Sequence, residues 1–322
     1  MAVYTPVQPE EADVLMRRLG LGDVLHLEGI RSGIENTNYF VTTTQGRWVL
    51  TLFERLSTDE LPYFLKLMGH LAGLGLPVPA PQADRGGRLV HPLAGKPAAV
   101  VTRLQGQPVI HPEPAHCAQL GTTLGRMHVA AASFEGEQAH GRGLAWCRQV
   151  LPQLHDHVPA AIARRLEEEL AYQQAVADSQ AGRALPRGPI HADLFRDNTL
   201  FEATPAGDRL SGVLDFYFAG TDSLLFDLAV CVNDWCIDEA SGRIDDARAL
   251  ALLNAYRAER PMAHGEWRLL PALLRAAALR FWISRLWDWY LPRPASLLVP
   301  KNPEHFERVL RQRTENPWLP LD

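Results

Sequence analysis

The sequence predicts an α+β fold of two lobes, a small antiparallel sheet carrying one inserted helix and then a larger, mostly helical lobe. Three observations predict it. Before residue 104 the apolar residues recur mainly in short strand-like runs, whereas from about Pro112 they recur at helical spacing. Between the two regimes lies Gln105-Gly106-Gln107-Pro108, a connection rich in chain-breaking residues. The length of 322 residues also suits two units, at roughly 150 residues per domain. The expected domains are residues 1–104 and 105–322, with a small-molecule cleft between them.

Taken in order, residues 9–19 read as a helix stopped by Gly20 and Gly22. Residues 24–30, 36–43 and 47–54 read as strands, the last two joined by a Gln45-Gly46 turn. The inserted helix is expected over 57–72: Ser57 or Thr58 caps it, Leu61, Phe64, Leu65, Met68 and Leu71 share a face, and Gly73 and Gly75 end it. Beyond an extended Pro-rich stretch, strands are expected at 88–93 and 97–104. In the second region the helices fall at 113–132, 144–179, 223–238, 244–258, 266–290 and 303–313, and a hairpin of two short strands, 199–202 and 210–214, interrupts them.

Composition excludes several classes. Hydrophobic residues at 47% and charged residues at 21% are ordinary globular values, not those of a disordered chain. The formal net charge of -5 gives no electrostatic footprint for nucleic acid. Four cysteines without a C-x-x-C pair suggest a reducing compartment. With no signal-peptide pattern and no long apolar run, a cytoplasmic protein without a membrane span is expected. The sequence leaves the oligomeric state open. Lys66, Lys96 and Lys301 are its only lysines, so chemistry that needs a lysine has few candidates.

The most informative stretch is PIHADLFRDNTLFEATPAGDRLSGVLDFYFA, residues 189–219. In a hairpin, the residue before the first strand and the residue after the second lie side by side, so Asn198 and Asp215 are expected to converge. An amide oxygen and a carboxylate, completed by water and phosphate oxygens, suit Mg²⁺. Asp193, one loop earlier, is placed to take a hydroxyl proton. These are the parts of a phosphoryl-transfer site: His191-Ala192-Asp193-Leu194-Phe195-Arg196-Asp197-Asn198 follows the H-R-D-L-x-x-x-N kinase signature with Ala for Arg, and Asp215-Phe216-Tyr217 stands where D-F-G would. On the nucleotide side, Gly33, Asn36, Thr37 and Asn38 lie in a turn whose backbone N–H groups could approach phosphates, with Thr51 and Arg103 as further candidates. No G-x-G-x-x-G or P-loop motif occurs. The third strand carries Thr51 where kinase-like lobes carry a phosphate-binding lysine. Lys66, Lys96, Arg31, Arg47 and Arg55 remain as replacement cations, and Glu60 as their helix partner or simply a complement to the helix dipole.

The other polar groups have plainer readings. His111, His116 and Cys117 lack a second ligand pair at zinc spacing. His155, Asp156 and His157 read as a solvated helix end, and Asp222 as a cap or a site residue. Asp227, inside an apolar run, must be buried and therefore paired, with the loop around His191 as an expected partner. Arg280, Arg285 and Asp288 among the aromatic residues of 281–290 could line a polar pocket.

Through GIENTNYF, HADLFRDNTLF, LDFYFAGTDSLLFDLAVCVNDW and RFWISRLWDWY, the chain resembles the aminoglycoside phosphotransferase and choline kinase superfamily, and within it the bacterial homoserine kinases. The resemblance covers nearly the whole chain. It implies a bilobal protein-kinase-like fold and ATP-dependent phosphorylation of the L-homoserine hydroxyl. By it Asp193 is the base, Asn198 and Asp215 hold Mg²⁺, and His191 and Asp227 support the loop. Homoserine further demands an acid for its ammonium and a cation for its carboxylate, for which Asp234 and Arg285 are the candidates. The competing readings are another hydroxyl kinase of the same fold, acting on choline, ethanolamine or an aminoglycoside, and a nucleotide-binding protein without catalysis. The aromatic run would suit a quaternary ammonium, and only Thr51 speaks for the non-catalytic reading.

Overall fold

The computed structural model describes residues 4–30, 36–291 and 301–320. The chain divides into two compact units, the first running to Gly106 and including Ser211–Tyr217, the second comprising Gln107–Leu210 and the residues from Phe218 onward. The sequence suggested a cut at 104; the first unit also includes the short later segment Ser211–Tyr217.

In the first unit α1 (Pro9–Arg18) precedes a five-stranded antiparallel sheet of β1 (Val24–Gly29), β2 (Thr37–Thr43), β3 (Gly46–Leu52), β4 (His91–Leu93) and β5 (Lys96–Thr102), in the order β1-β2-β3-β5-β4. Burial alternates along β2, so Tyr39 and Val41 enter the core with Leu15 and Met16 of α1, Leu50 and Leu52 of β3, and Ala98 and Val100 of β5. The inserted helix α2 (Leu61–Gly73) starts later than its capping residues suggested. Glu60 Oε2 accepts from the Ser57 amide (2.9 Å) and hydroxyl (2.8 Å), which ties off the preceding turn. The strand expected at 88–93 shrinks to three residues. Asp84 Oδ1 accepts from the amides of Gly86 and Arg88, and Oδ2 from Arg88 Nε (2.9 Å), folding that segment into a turn.

The second unit contains α3 (Pro114–Ala131), α4 (Leu144–Leu154), α5 (Ala160–Asp178), the single turn α6 (Gln180–Arg183), β6 (Arg187–Ile190), β7 (Thr199–Thr204), the start of β8 (Gly207–Val213), β9 (Gly220–Ser223), α7 (Leu224–Trp235), α8 (Asp246–Glu259), α9 (His264–Tyr290) and α10 (Glu304–Glu315). The helix expected over 144–179 is broken after Leu154 because Pro159 disfavours helical backbone at Val158 and caps α5 instead. β7 pairs with β8, and β6 pairs antiparallel with β9. The second pair was not legible, since Pro189 and Gly188 in β6 and Gly220 in β9 suppress the strand signal. The crossing of α3 and α8 is unusually close: a Cβ on Gly121 would lie 2.1 Å from the Leu252 carbonyl oxygen. Among the described residues no helix is long and apolar enough to cross a membrane.

Candidate active site

The loop between β6 and β7 carries His191 to Asn198, and one face of α7 holds it by its backbone. Asp227 is fully buried, its Oδ2 accepting from the His191 amide (2.8 Å) and its Oδ1 from the Ala192 amide (2.8 Å). One turn on, Cys231 Sγ lies 3.7 Å from the Leu194 carbonyl, to which Trp235 Nε1 also donates (3.1 Å). Between these, Asp234 Oδ2 accepts from the Arg196 amide (2.8 Å) and Nε (3.2 Å). His128 of α3 completes the support, with Nε2 3.1 Å from Asp227 Oδ2 and Nδ1 2.8 Å from the Tyr256 hydroxyl. Burial alone would raise the Asp227 carboxyl, but the hydrogen bond and charge of His128, with the His191 contacts, outweigh it and hold Asp227 below its ordinary value.

The held loop is not relaxed. Ala192 has φ of 66°, in the left-handed region, which costs a residue with a Cβ about 1 kcal/mol. The two amides bonded to Asp227 are what keep it there. Asp193 follows, half-buried, with its carbonyl accepting from the Phe195 amide (2.8 Å) and its own amide donating to His191 Nδ1 (3.3 Å). Its carboxylate is gripped from two sides. Asn198 Nδ2 donates to the Asp193 carbonyl (2.8 Å) and to Oδ2 (3.2 Å), and Arg280 of α9 approaches Oδ1 at 3.4 Å. Arg280 is 3% exposed and lies over the rings of Phe281 (3.8 Å) and Phe218 (5.5 Å).

Asn198 and Asp215 each offer a hard oxygen donor. With Nδ2 of Asn198 spent on Asp193, its amide oxygen is turned away and accepts no hydrogen bond among the described residues. Asp215, at the far end of the β7–β8 hairpin, is exposed and also left-handed, with φ of 61°. Both supply the oxygen donors that Mg²⁺ prefers. No cluster of three His, Cys, Asp or Glu side chains suited to a metal occurs among the described residues. His116 pairs with Asp208 (3.1 Å), and Cys117 is buried against α7.

The nucleotide-side candidates fall in the first unit. Gly33 and Arg31 lie outside the described residues. Thr37 is fully buried, and its hydroxyl accepts from the Tyr4 and Thr5 amides and donates to Glu54 (2.8 Å), so it braces the N-terminal segment and offers no side-chain contact to a ligand. Thr51 donates to Asn38 Oδ1 (2.7 Å) and is hydrogen-bonded to the Tyr217 hydroxyl, so a neutral network fills the position where kinase-like lobes have lysine. Burial, and then the charge of Asp215, hold the Tyr217 phenol above its ordinary value. Asn36 offers its carbonyl to Asn38 Nδ2 (3.4 Å), and the Arg103 guanidinium lies 3.6 Å over the Phe40 ring. Of the candidate cations, Lys96 forms an ion pair with Glu54 (3.1 Å). Glu60, the expected helix partner, is turned back to Ser57 and is held low by those bonds.

Of the substrate-side candidates, Asp234 is buried beneath the loop and committed to Arg196, which also reaches Glu239 (2.6 Å) and the Ile110 carbonyl. Its carboxyl is raised, burial outweighing Arg196. It therefore fixes the loop, where an ammonium partner was expected. Arg285 is half-buried over Phe306 at 5.2 Å. Asp222 is ion-paired with His140 (3.0 Å) and Arg187 (3.1 Å). The contacts that sequence reasoning missed are His128 to Asp227 and Arg280 to Asp193. The signal for Arg280 was present, since a charge inside LRFW is as demanding of a partner as Asp227 is.

Residues 26–263 match the phosphotransferase enzyme family. The homoserine kinase of Polaromonas naphthalenivorans is 51% identical, over 99% of this chain and 100% of its own. That of Cupriavidus metallidurans is 50% identical, again over 99% and 100%. Among solved structures, an amicoumacin kinase in complex with AMP-PNP, Ca²⁺ and Ami superposes with a TM-score of 0.68 at 16% identity, covering 100% of this chain and 93% of that one. A Plasmodium vivax ethanolamine kinase gives 0.63 at 14%, covering 94% and 86%. These likenesses establish the α+β, kinase-like fold.

Proposed function

This chain belongs to the phosphotransferase enzyme family, and we propose that within it the protein is an ATP-dependent homoserine kinase. It transfers the γ-phosphoryl group of ATP to the side-chain hydroxyl of L-homoserine, giving O-phospho-L-homoserine and ADP, a step of threonine biosynthesis. The observation that carries this reading is about 50% identity to homoserine kinases along the entire chain.

Asp193 is assigned as the base. Asn198 Nδ2 on Oδ2 and Arg280 on Oδ1 fix its carboxylate plane, so the hydroxyl proton passes to a preoriented oxygen as the phosphoryl group leaves ADP. Asn198 Oδ1 and Asp215 are the assigned oxygen donors for Mg²⁺, which when bound to ATP neutralises phosphate charge. Asn38 and Arg103 are assigned to the nucleotide side, with Lys96 as the cation that answers for Thr51. Thr37 and Thr51 act there through the hydrogen bonds that shape the sheet. His191 and Asp227 hold the loop.

The test is ADP release with Mg-ATP and, separately, L-homoserine, choline and an aminoglycoside. Homoserine-dependent release is expected, falling by about 10²- to 10⁴-fold in Asp193→Asn, the usual worth of a general base. Turnover with choline or an aminoglycoside instead would overturn the acceptor, and activity retained in Asp193→Asn would overturn the base.

A further inference from the structure

The residues assigned to phosphoryl transfer, Asp193, Asn198 and Asp215, all lie within the stretch that matches the family, whereas α9 and α10 lie beyond it. Proteins of this fold include an ethanolamine kinase, and ethanolamine is an amino alcohol without a carboxylate. Homoserine has a hydroxyl and an ammonium too, and adds a carboxylate whose carbon lies roughly 5 Å from the hydroxyl oxygen in an extended chain. An enzyme selecting homoserine therefore needs a cation within that reach of its base.

Two arginines of α9 lie near the loop of Asp193: Arg280 contacts the carboxylate itself, and Arg285 lies over Phe306, whose ring stacks on Phe195 of that loop at 5.9 Å. Arg280 is closed off, 3% exposed, wedged between Phe281 and Phe218 and spent on Asp193 Oδ1. Arg285 is different. It keeps one guanidinium face over the Phe306 ring of α10, and among the described residues it makes no hydrogen bond or ion pair. The carboxylates whose charge it feels are Asp193, then Asp234, then Asp197. Two of these have partners of their own, Asp234 in Arg196 (3.2 Å) and Asp197 in Lys301 (3.2 Å). A half-buried guanidinium one aromatic stack away from the catalytic loop, with no hydrogen-bonded anion among the described residues, is costly to maintain unless a ligand supplies one. Its planar fork is the group that binds a carboxylate through two parallel hydrogen bonds. His305 of α10, half-buried, is held down by burial and then by Arg285 and Arg308, against the charge of Glu239.

We propose that Arg285 is the receptor for the α-carboxylate of the acceptor, and so the residue by which this site selects an amino-acid alcohol over a simple amino alcohol. The proposal rests on the homoserine kinase reading and names what its acceptor site recognises.

The test compares L-homoserine with 3-aminopropan-1-ol, the same molecule without its carboxylate, as acceptors for the wild type, Arg285→Gln and Arg285→Lys. In Arg285→Gln the KM for homoserine is expected to rise about 10- to 100-fold, the worth of charge-assisted hydrogen bonds. Its kcat should stay within about threefold, and kcat/KM for 3-aminopropan-1-ol should not change; Arg285→Lys should recover part of the homoserine loss. The unchanged reaction of the smaller acceptor shows that the variant is folded and the transfer machinery intact. Equal losses with both acceptors, or a homoserine KM raised less than fivefold, would overturn the assignment. A wild type that turns over neither acceptor, yet phosphorylates choline or an aminoglycoside, would overturn the homoserine reading and this one with it.

Discussion

Replacing Asp227 by asparagine keeps the shape of the side chain and removes one acceptor and the charge. The wild-type carboxylate receives three hydrogen bonds, from the amides of His191 and Ala192 and from His128 Nε2, with no exposure to water. Whichever way the asparagine amide turns, its NH₂ faces at least one backbone N–H. One buried donor is thus orphaned, at about 1–3 kcal/mol, and the surviving bonds lose their charge assistance, at about 1 kcal/mol each. The sum is about 3–5 kcal/mol, the range expected for breaking a buried charged contact. The loop also loses what holds Ala192 at φ of 66°, and a displacement of about 1 Å at Asp193 is enough to lower kcat about 100-fold. Urea denaturation and steady-state kinetics on Asp227→Asn should therefore show both losses, with the KM for Mg-ATP within about threefold of wild type. A stability loss below about 1 kcal/mol, or a kcat within threefold of wild type, would refute the claim that this carboxylate holds the loop.

Two further outcomes are expected. Burial, then Arg285 and Arg308, lower the His305 imidazole from 6.5 to about 4. The unfolded chain therefore binds a proton in that window that the folded chain does not, and folded stability drains as pH falls from about 6.5 toward 4. The thermal midpoint of His305→Gln should gain on that of the wild type as the pH is lowered through this window, and a difference independent of pH would sink the idea. Gly121→Ala places a Cβ 2.1 Å from the Leu252 carbonyl and should cost about 3 kcal/mol by forcing α3 and α8 apart. Gly141→Ala, which meets nothing within 4 Å, is the control, and equal thermal midpoints for the two variants would contradict the close crossing.

Much of the fold could be read from periodicity. Leu61, Phe64, Leu65, Met68 and Leu71 share a helical face and all are buried in α2, and the run read as a strand over 36–43 is β2, which buries every second residue. What escaped was set by tertiary partners. β6 and β9 are strands only because they pair with each other, and the sheet edge at 88–90 was lost to the hydrogen bonds of Asp84. At the site, Asp193 and Asn198 were legible because their chemistry demands particular side chains at fixed spacing. The fate of Asp234 was not. A carboxylate seven residues after Asp227 reads equally well as a ligand contact or a brace, and only the position of Arg196 decides between them.

That spacing explains how a strained loop is held still. Asp227, Cys231, Asp234 and Trp235 stand at i, i+4, i+7 and i+8, one stripe of a helix. Their backbone partners span the loop: the amides of His191 and Ala192 for Asp227, the Leu194 carbonyl for both Cys231 and Trp235, and the Arg196 amide for Asp234. Each of these contacts is to backbone, and the stripe also holds a loop side chain, that of Arg196, through Asp234. This is why Ala192 can stand where the kinase signature has arginine: its place is set by its amide on Asp227, and its methyl group is fully buried. Two loop side chains that this helix does not hold, Asp193 and Asn198, bond to each other. A rigid helix thus carries the cost of the left-handed turn, and the base is delivered already oriented.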